Sequence, residues 1–225
     1  MKEHFAEQLE SLRQQLILMA VEAESQVKLA VEALVEADAA KAARVIERDK
    51  VLDQMEVRNE DVTVHLLATQ QPVAGDLRFL VAALKINNEL ERIGDHAVNI
   101  AEAAQRTAGQ KPFQPSVDLT HMAEIARGML KQALDAFVRR DYALAREVCR
   151  KDDLLDDKNR SIIRELLTYM AENPALISRS IEIMYVSKNL ERVGDLATNI
   201  AEEAIFMARG IQIKHHLHPE DAGTS

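Results

Sequence analysis

Residues Leu90 to Ala104 read LERIGDHAVNIAEAA, and a hundred positions later Leu190 to Ala204 read LERVGDLATNIAEEA, identical at 11 of 15 places. Helical composition alone does not give such agreement, so the chain carries an internal repeat. A second match lies upstream at an offset of 103, where Val45 to Asp53 (VIERDKVLD) meets Val148 to Asp156 (VCRKDDLLD) and Asp38 meets Asp141. Within the first stretch Ile86, Leu90, Ile93, Ala97, Ile100 and Ala104 recur at steps of four and three, the seam of a helix packed in a bundle. Val186, Leu190, Val193, Ala197, Ile200 and Ala204 repeat it. The expected fold is all-α: two tandem three-helix bundles produced by duplication.

The rest of the chain agrees with that reading. Its 225 residues are 47% hydrophobic and 29% charged, with only seven Gly and five Pro, which excludes disordered and collagen-like classes. Strong helix formers dominate and Trp is absent. The rare breakers, Pro72 with Gly75, Gly109 to Pro115, Pro174, Gly210 and Pro219, cut the sequence into six helices. These are expected over Phe5–Glu36, Ala39–Thr69, Asp76–Ala108, Val117–Arg139, Tyr142–Ala171 and Ala175–Arg209. The domains follow as 1–110 and 116–210, with a tail over 211–225.

A net charge of −9 argues against nucleic acid and anionic lipid as partners and favours divalent cations or basic protein surfaces. The single Cys149 forbids an intramolecular disulfide and suits a reducing cytoplasm. The N-terminus has no cleavable apolar core, and the longest uncharged run, the 14 residues Val62 to Gly75, is too short for a membrane span. A cytoplasmic location is expected, with membranes met only through partners.

On the helix of the first copy, Glu91, Asp95 and Glu102 lie roughly 140° to 180° round from the apolar stripe, with Asn88 and Asn99 close by. Glu191, Asp195, Asn199 and Glu202 repeat the ridge. A polar ridge is ordinarily a solvated face, and three features favour more here. The exposed Glu91, Arg92, Asp95, Asn99 and Glu102 are all retained in the second copy. Carboxylates four apart repel unless a cation lies between them. Gly94 and Gly194 cost about 1 kcal/mol each in mid-helix relative to Ala, and the missing Cβ admits a close neighbour. The preceding helices add Asp49 with Asp53, and Asp152 with Asp156, placed on the flank of the stripe. The candidate metal ligands are therefore Asp49, Asp53, Glu91 and Asp95 in the first half, and Asp152, Asp156, Glu191 and Asp195 in the second. Such oxygen donors suit Mg, Mn, Ca or Fe and tolerate Zn. Two differences, His96 against Leu196 and Asn88 against Lys188, suggest tighter binding in the first half, where His96 could add a nitrogen ligand. Cys149 reads as a packing residue, and His215, His216 and His218 as part of a solvated tail. Walker, dinucleotide and nucleophile-elbow motifs are lacking, so no catalytic residue is assigned.

On Glu91-Arg-Ile-Gly-Asp95 and Glu191-Arg-Val-Gly-Asp195, with Asp49-Lys-Val-Leu-Asp53 and Asp152-Asp-Leu-Leu-Asp156, the chain resembles the PhoU family over about Phe5 to Arg209. The resemblance implies metal clusters of Fe, Mn, Mg or Zn on paired bundles. It also implies negative regulation of phosphate uptake and of the phosphate-starvation response. The implied partners are the ATPase subunit of the phosphate ABC transporter, the sensor histidine kinase of the phosphate two-component system, and a second copy in a homodimer. Two rival readings are a hydrolase using carboxylate-bound metal and a purely structural bundle.

Overall fold

Asp38 and Asp141, matched in the repeat, each start a helix, and for the same reason. Asp38 accepts from the main-chain N–H of Ala40 and Lys41, and Asp141 from that of Leu144, which satisfies donors that a helix N-terminus leaves orphaned. Each follows a residue in the left-handed region, Ala37 (φ 54°) and Arg140 (φ 54°). The N–H of Asp38 reaches back to the carbonyl of Ala33, and that of Asp141 to Ala136, both at 2.9 Å. This closes the preceding helix with the six-to-one bond of a Schellman turn. The repeat therefore copies its turn geometry as well as its helices.

A computed structural model describes residues 2–109 and 117–211. It contains α1 (Lys2–Val35), α2 (Ala39–Gln70), α3 (Ala74–Thr107), α4 (Leu119–Arg139), α5 (Tyr142–Glu172), a 3-10 turn at Pro174–Leu176 and α6 (Ile177–Arg209). These lie within a few residues of the expected helices. The expected domain boundary falls mostly on 110–116, and the expected tail, with its three His, on 212–225, outside the described residues. No helix is long and apolar enough to cross a membrane.

The first three helices pack on one another, as do the last three. The stripe read from the sequence is the core: Ile86, Leu90, Ile93, Val186, Leu190 and Val193 are all fully buried. α3 and α6 cross antiparallel at the centre, because Lys85 near the start of α3 pairs with Glu203 near the end of α6 at 2.6 Å. Arg106 near the end of α3 pairs with Glu182 near the start of α6 at 3.0 Å. α1 and α4 add a second contact through Arg127 and Glu24 at 2.9 Å, and Phe79 stacks on Phe137 across the halves. α2 and α5 therefore flank the outside, each resting against the ridge-bearing helix of its own half.

Candidate functional site

Two glycines let α2 and α5 approach that closely. A Cβ built on Gly94 would stand 2.5 Å from Leu52 Cδ1 and 3.3 Å from Asp49 Oδ1. On Gly194 it would stand 2.3 Å from Leu155 Cδ2 and 3.8 Å from Asp152 Oδ1. A leucine fills each notch, and the aspartate three residues before it is carried down against the ridge helix. The mid-helix glycines thus join the paired aspartates of α2 and α5 to the carboxylates of α3 and α6.

In the first half Asp49, Asp53, Glu91 and Asp95 face one another across the α2–α3 groove, and Glu56, unforeseen from the sequence, joins them. Glu91 is pushed up to about 7, chiefly because its charged form is partly desolvated, and then because Asp95, Glu56, Asp53 and Asp49 repel it. Asp49 is raised by burial and by Asp53 and Asp95. Glu56 is raised by burial and by Glu60, against a hydrogen bond with Asn88 that favours its charged form. Among the described residues none of these five carboxylates forms an ion pair with a basic side chain; Arg92 turns instead to Glu89 at 3.1 Å. The spacing of Glu56 three residues after Asp53, on the same face of α2, is the sequence signal that could have found it.

In the second half a carboxylate oxygen from each of Asp156, Glu191 and Asp195 lies within 4.8 Å of the other two, close enough to hold a metal ion together. Asp152 lies beside them against the Gly194 notch. The outward ridge expected from helical angles needs correcting here: Glu191 is only 8% exposed, because α5 packs against α6 over it, and Asp152, expected on the flank of the α5 stripe, is buried to the same degree. Glu191 Oε2 receives no aligned hydrogen bond. Lys188 abuts that same oxygen as an ion pair, and Arg192 holds Asp195 at 2.7 Å. The donor set of the trio, oxygen only and partly buried, fits a hard or intermediate cation. Beside it runs a groove of about 800 Å³ between α3 and α6, lined by Asn88, Arg92, Asp195, Thr198 and Asn199.

His96 stands apart from both clusters. Its Nδ1 is 2.9 Å from Asn189 Oδ1 on α6, an oxygen that also accepts from Asn99 at 3.1 Å, so the imidazole serves the contact between halves. Burial pushes the Cys149 thiol up to about 12, with Glu202 and Asp152 adding to the shift, as suits a packing residue.

Comparison with known proteins matches the PhoU domain family twice, over residues 16–104 and 119–204. A phosphate-specific transport system accessory protein PhoU homolog of Pseudomonas putida is 40% identical over 215 residues, covering 95% of this chain and 84% of that protein. The crystal structure of PhoU from Pseudomonas aeruginosa superposes with a TM-score of 0.88 at 39% identity, covering 92% of this chain and all of that one. That of the phosphate transport system regulatory protein PhoU from Streptococcus pneumoniae gives 0.87 at 25% identity, covering 94% of this chain and again all of the other.

Proposed function

The chain belongs to the PhoU family, and from that premise we propose that it is a non-catalytic accessory regulator of a phosphate transport system. The observation that carries this reading is the pairing of two family domains with an acidic groove in each, at matching places. The names of its relatives supply the transport system and the regulatory sense. In this reading the protein is a cytoplasmic homodimer. It docks on the transporter's ATPase subunit and on the sensor histidine kinase, and it restrains uptake and the starvation response when phosphate is plentiful.

Asp49, Asp53, Glu91 and Asp95 would hold metal in the first bundle (1–110), and Asp152, Asp156, Glu191 and Asp195 in the second (116–210). Fe, Mn, Mg or Zn would neutralise carboxylates that otherwise repel, stiffening each groove as a docking surface. Deletion should leave phosphate-scavenging genes expressed in high phosphate, read by a reporter, and affinity capture from phosphate-replete cells should recover the ATPase and the kinase. Continued repression in the deletion strain would refute the regulatory reading. Unchanged metal content in an Asp95→Asn, Asp195→Asn double variant, measured by elemental analysis, would refute the metal sites.

A further inference from the structure

Each half buries a polar group where a helical bundle would ordinarily place an aliphatic one. In the first, Asn59 of α2 is 2% exposed and Asn87 of α3 is 3% exposed. Asn59 Nδ2 donates to Asn87 Oδ1 at 3.0 Å and also reaches the Sδ of Met19 on α1 at 3.6 Å. Asn87 Nδ2 donates in turn to the main-chain carbonyl of Glu56 at 2.9 Å. In the second, the fully buried Ser187 of α6 donates to Oδ1 of Asn159 on α5 at 2.7 Å and lies 3.4 Å from the Sδ of Met122 on α4. Asn87 and Ser187, a hundred residues apart, occupy matching positions of the repeat, as do Met19 and Met122, 103 apart; in the frame that matches Asp53 to Asp156, Asn159 falls one turn before the counterpart of Asn59. In each bundle a polar contact joins all three helices, from matching positions on α1 and α4 and on α3 and α6 and from positions one turn apart on α2 and α5.

Apolar packing is non-directional, so aliphatic contacts alone leave a helix some freedom to rotate about its axis or slide along its neighbour. A buried amide pair is satisfied in one arrangement only and is costly in every other. Asn87 grips α2 twice, through the side chain of Asn59 and through the main chain of Glu56. It also sits four residues, about 6 Å along the axis, before Glu91. We propose that Asn59 with Asn87, and Asn159 with Ser187, are positioning residues for the two acidic grooves. They set the rotation and register of α2 against α3, and of α5 against α6, so that the aspartates face the ridge carboxylates. The leucine in each glycine notch fixes how close the helices come; the polar contact fixes which side chains meet.

This inference rests on the reading of the grooves as metal sites, and its test separates the two. The variant is Asn59→Leu with Asn87→Leu, in an Asp195→Asn background that leaves only the first groove to bind. Replacing both partners of a buried hydrogen bond by apolar groups of similar shape costs little, so the melting temperature should hold or rise. Binding of Mn²⁺, followed by the free-ion electron paramagnetic resonance signal, should weaken at least tenfold. Spin labels at Arg44→Cys and Leu77→Cys in a Cys149→Ser background should show a broadened or displaced α2–α3 distance.

Unchanged Mn²⁺ affinity overturns the proposal, and so does weakened affinity with an unchanged distance distribution. Should the unaltered protein bind no Mn²⁺, the metal reading falls and the distance distribution alone decides the pin. Should the double-leucine variant fail to fold, Asn159→Leu with Ser187→Ala in an Asp95→Asn background puts the same question to the second groove.

Discussion

The two grooves descend from one ancestor and have settled their charge in opposite ways. In the second, Lys188 abuts Glu191 and Arg192 holds Asp195, and three carboxylates converge within 4.8 Å. In the first, Asn88 stands where Lys188 would be and Arg92 pairs with Glu89 instead. Five carboxylates are left to repel one another, and Glu91 is pushed up to about 7. One groove carries its own basic partners, and among the described residues the other has none. The contrast extends to α2 and α5: in the frame that matches Asp53 to Asp156, Glu56 falls opposite Asn159, which turns inward to Ser187. The same helical position serves the acidic cluster in one half and the buried contact in the other.

The largest effect should come from breaking the architecture that the grooves share. Gly94→Val would drive a branched side chain into Leu52, which is itself fully buried. Overpacking of this kind costs about 1 to 3 kcal/mol. Thermal unfolding should show that loss, with cation binding to the first groove impaired and the second untouched. A melting temperature equal to that of the unaltered protein would mean that the notch is not a close fit.

Next in size is the difference in affinity. Asp195→Asn leaves the first groove intact and Asp95→Asn the second, so separate calorimetric titrations with Mn²⁺ compare them directly. The first should bind about tenfold more tightly, or about 1.4 kcal/mol, since it has no basic side chain to displace. Equal affinities would make the halves interchangeable as metal sites.

How much of this was legible beforehand follows from what periodicity encodes. The stripe, the matching of Asp38 with Asp141 and the duplication concern spacing along one chain, and the helices appear where spacing puts them. The glycines also announced a close approach, though not that leucines would make it. Burial of Glu191, inclusion of Glu56 and the turning of His96 toward α6 depend on how one helix is rotated against another. Helical angles within one element cannot supply that rotation. It resides in contacts such as Asn59 to Asn87, which join residues 28 apart.

A smaller effect separates the grooves by acidity. Glu91 holds its proton to about pH 7 in the folded protein, whereas in the unfolded chain it releases it near 4.5. Between those values the folded form binds more protons, so stability in chelator falls as pH rises, and the contribution of Glu91 is lost in full above about 7. Glu91 is half-buried, and after solvent screening the loss is roughly 1 kcal/mol. Glu91→Gln should flatten the slope of melting temperature against pH between 5 and 7.5, and saturating Mn²⁺ should flatten it too by favouring the carboxylate. A slope that survives Glu91→Gln would place the titration elsewhere.

The smallest expected change is also the most direct on the origin of the contrast. Among the described residues the second groove's basic partners are Lys188, Arg192 and Arg160, which stands 3.9 Å from Asp156; Arg192 is matched by Arg92, while Lys188 is matched by the neutral Asn88 and Arg160 by Val57. Lys188→Asn therefore rewrites the second groove toward the first with one side chain. The lysine is 47% exposed, so its field at Glu191 is largely screened, and its removal should strengthen Mn²⁺ binding by only about 0.5 to 1 kcal/mol, a factor of two to five. Removing it also leaves Glu191 buried without a counter-charge, so the same variant should be slightly less stable in chelator and regain that stability on adding Mn²⁺. The reciprocal Asn88→Lys should weaken the first groove by a similar factor. If Lys188→Asn weakens Mn²⁺ binding instead, the lysine is organising the trio rather than competing for it, and the convergence of Asp156, Glu191 and Asp195 is a property of the ion pair and not of a site awaiting metal.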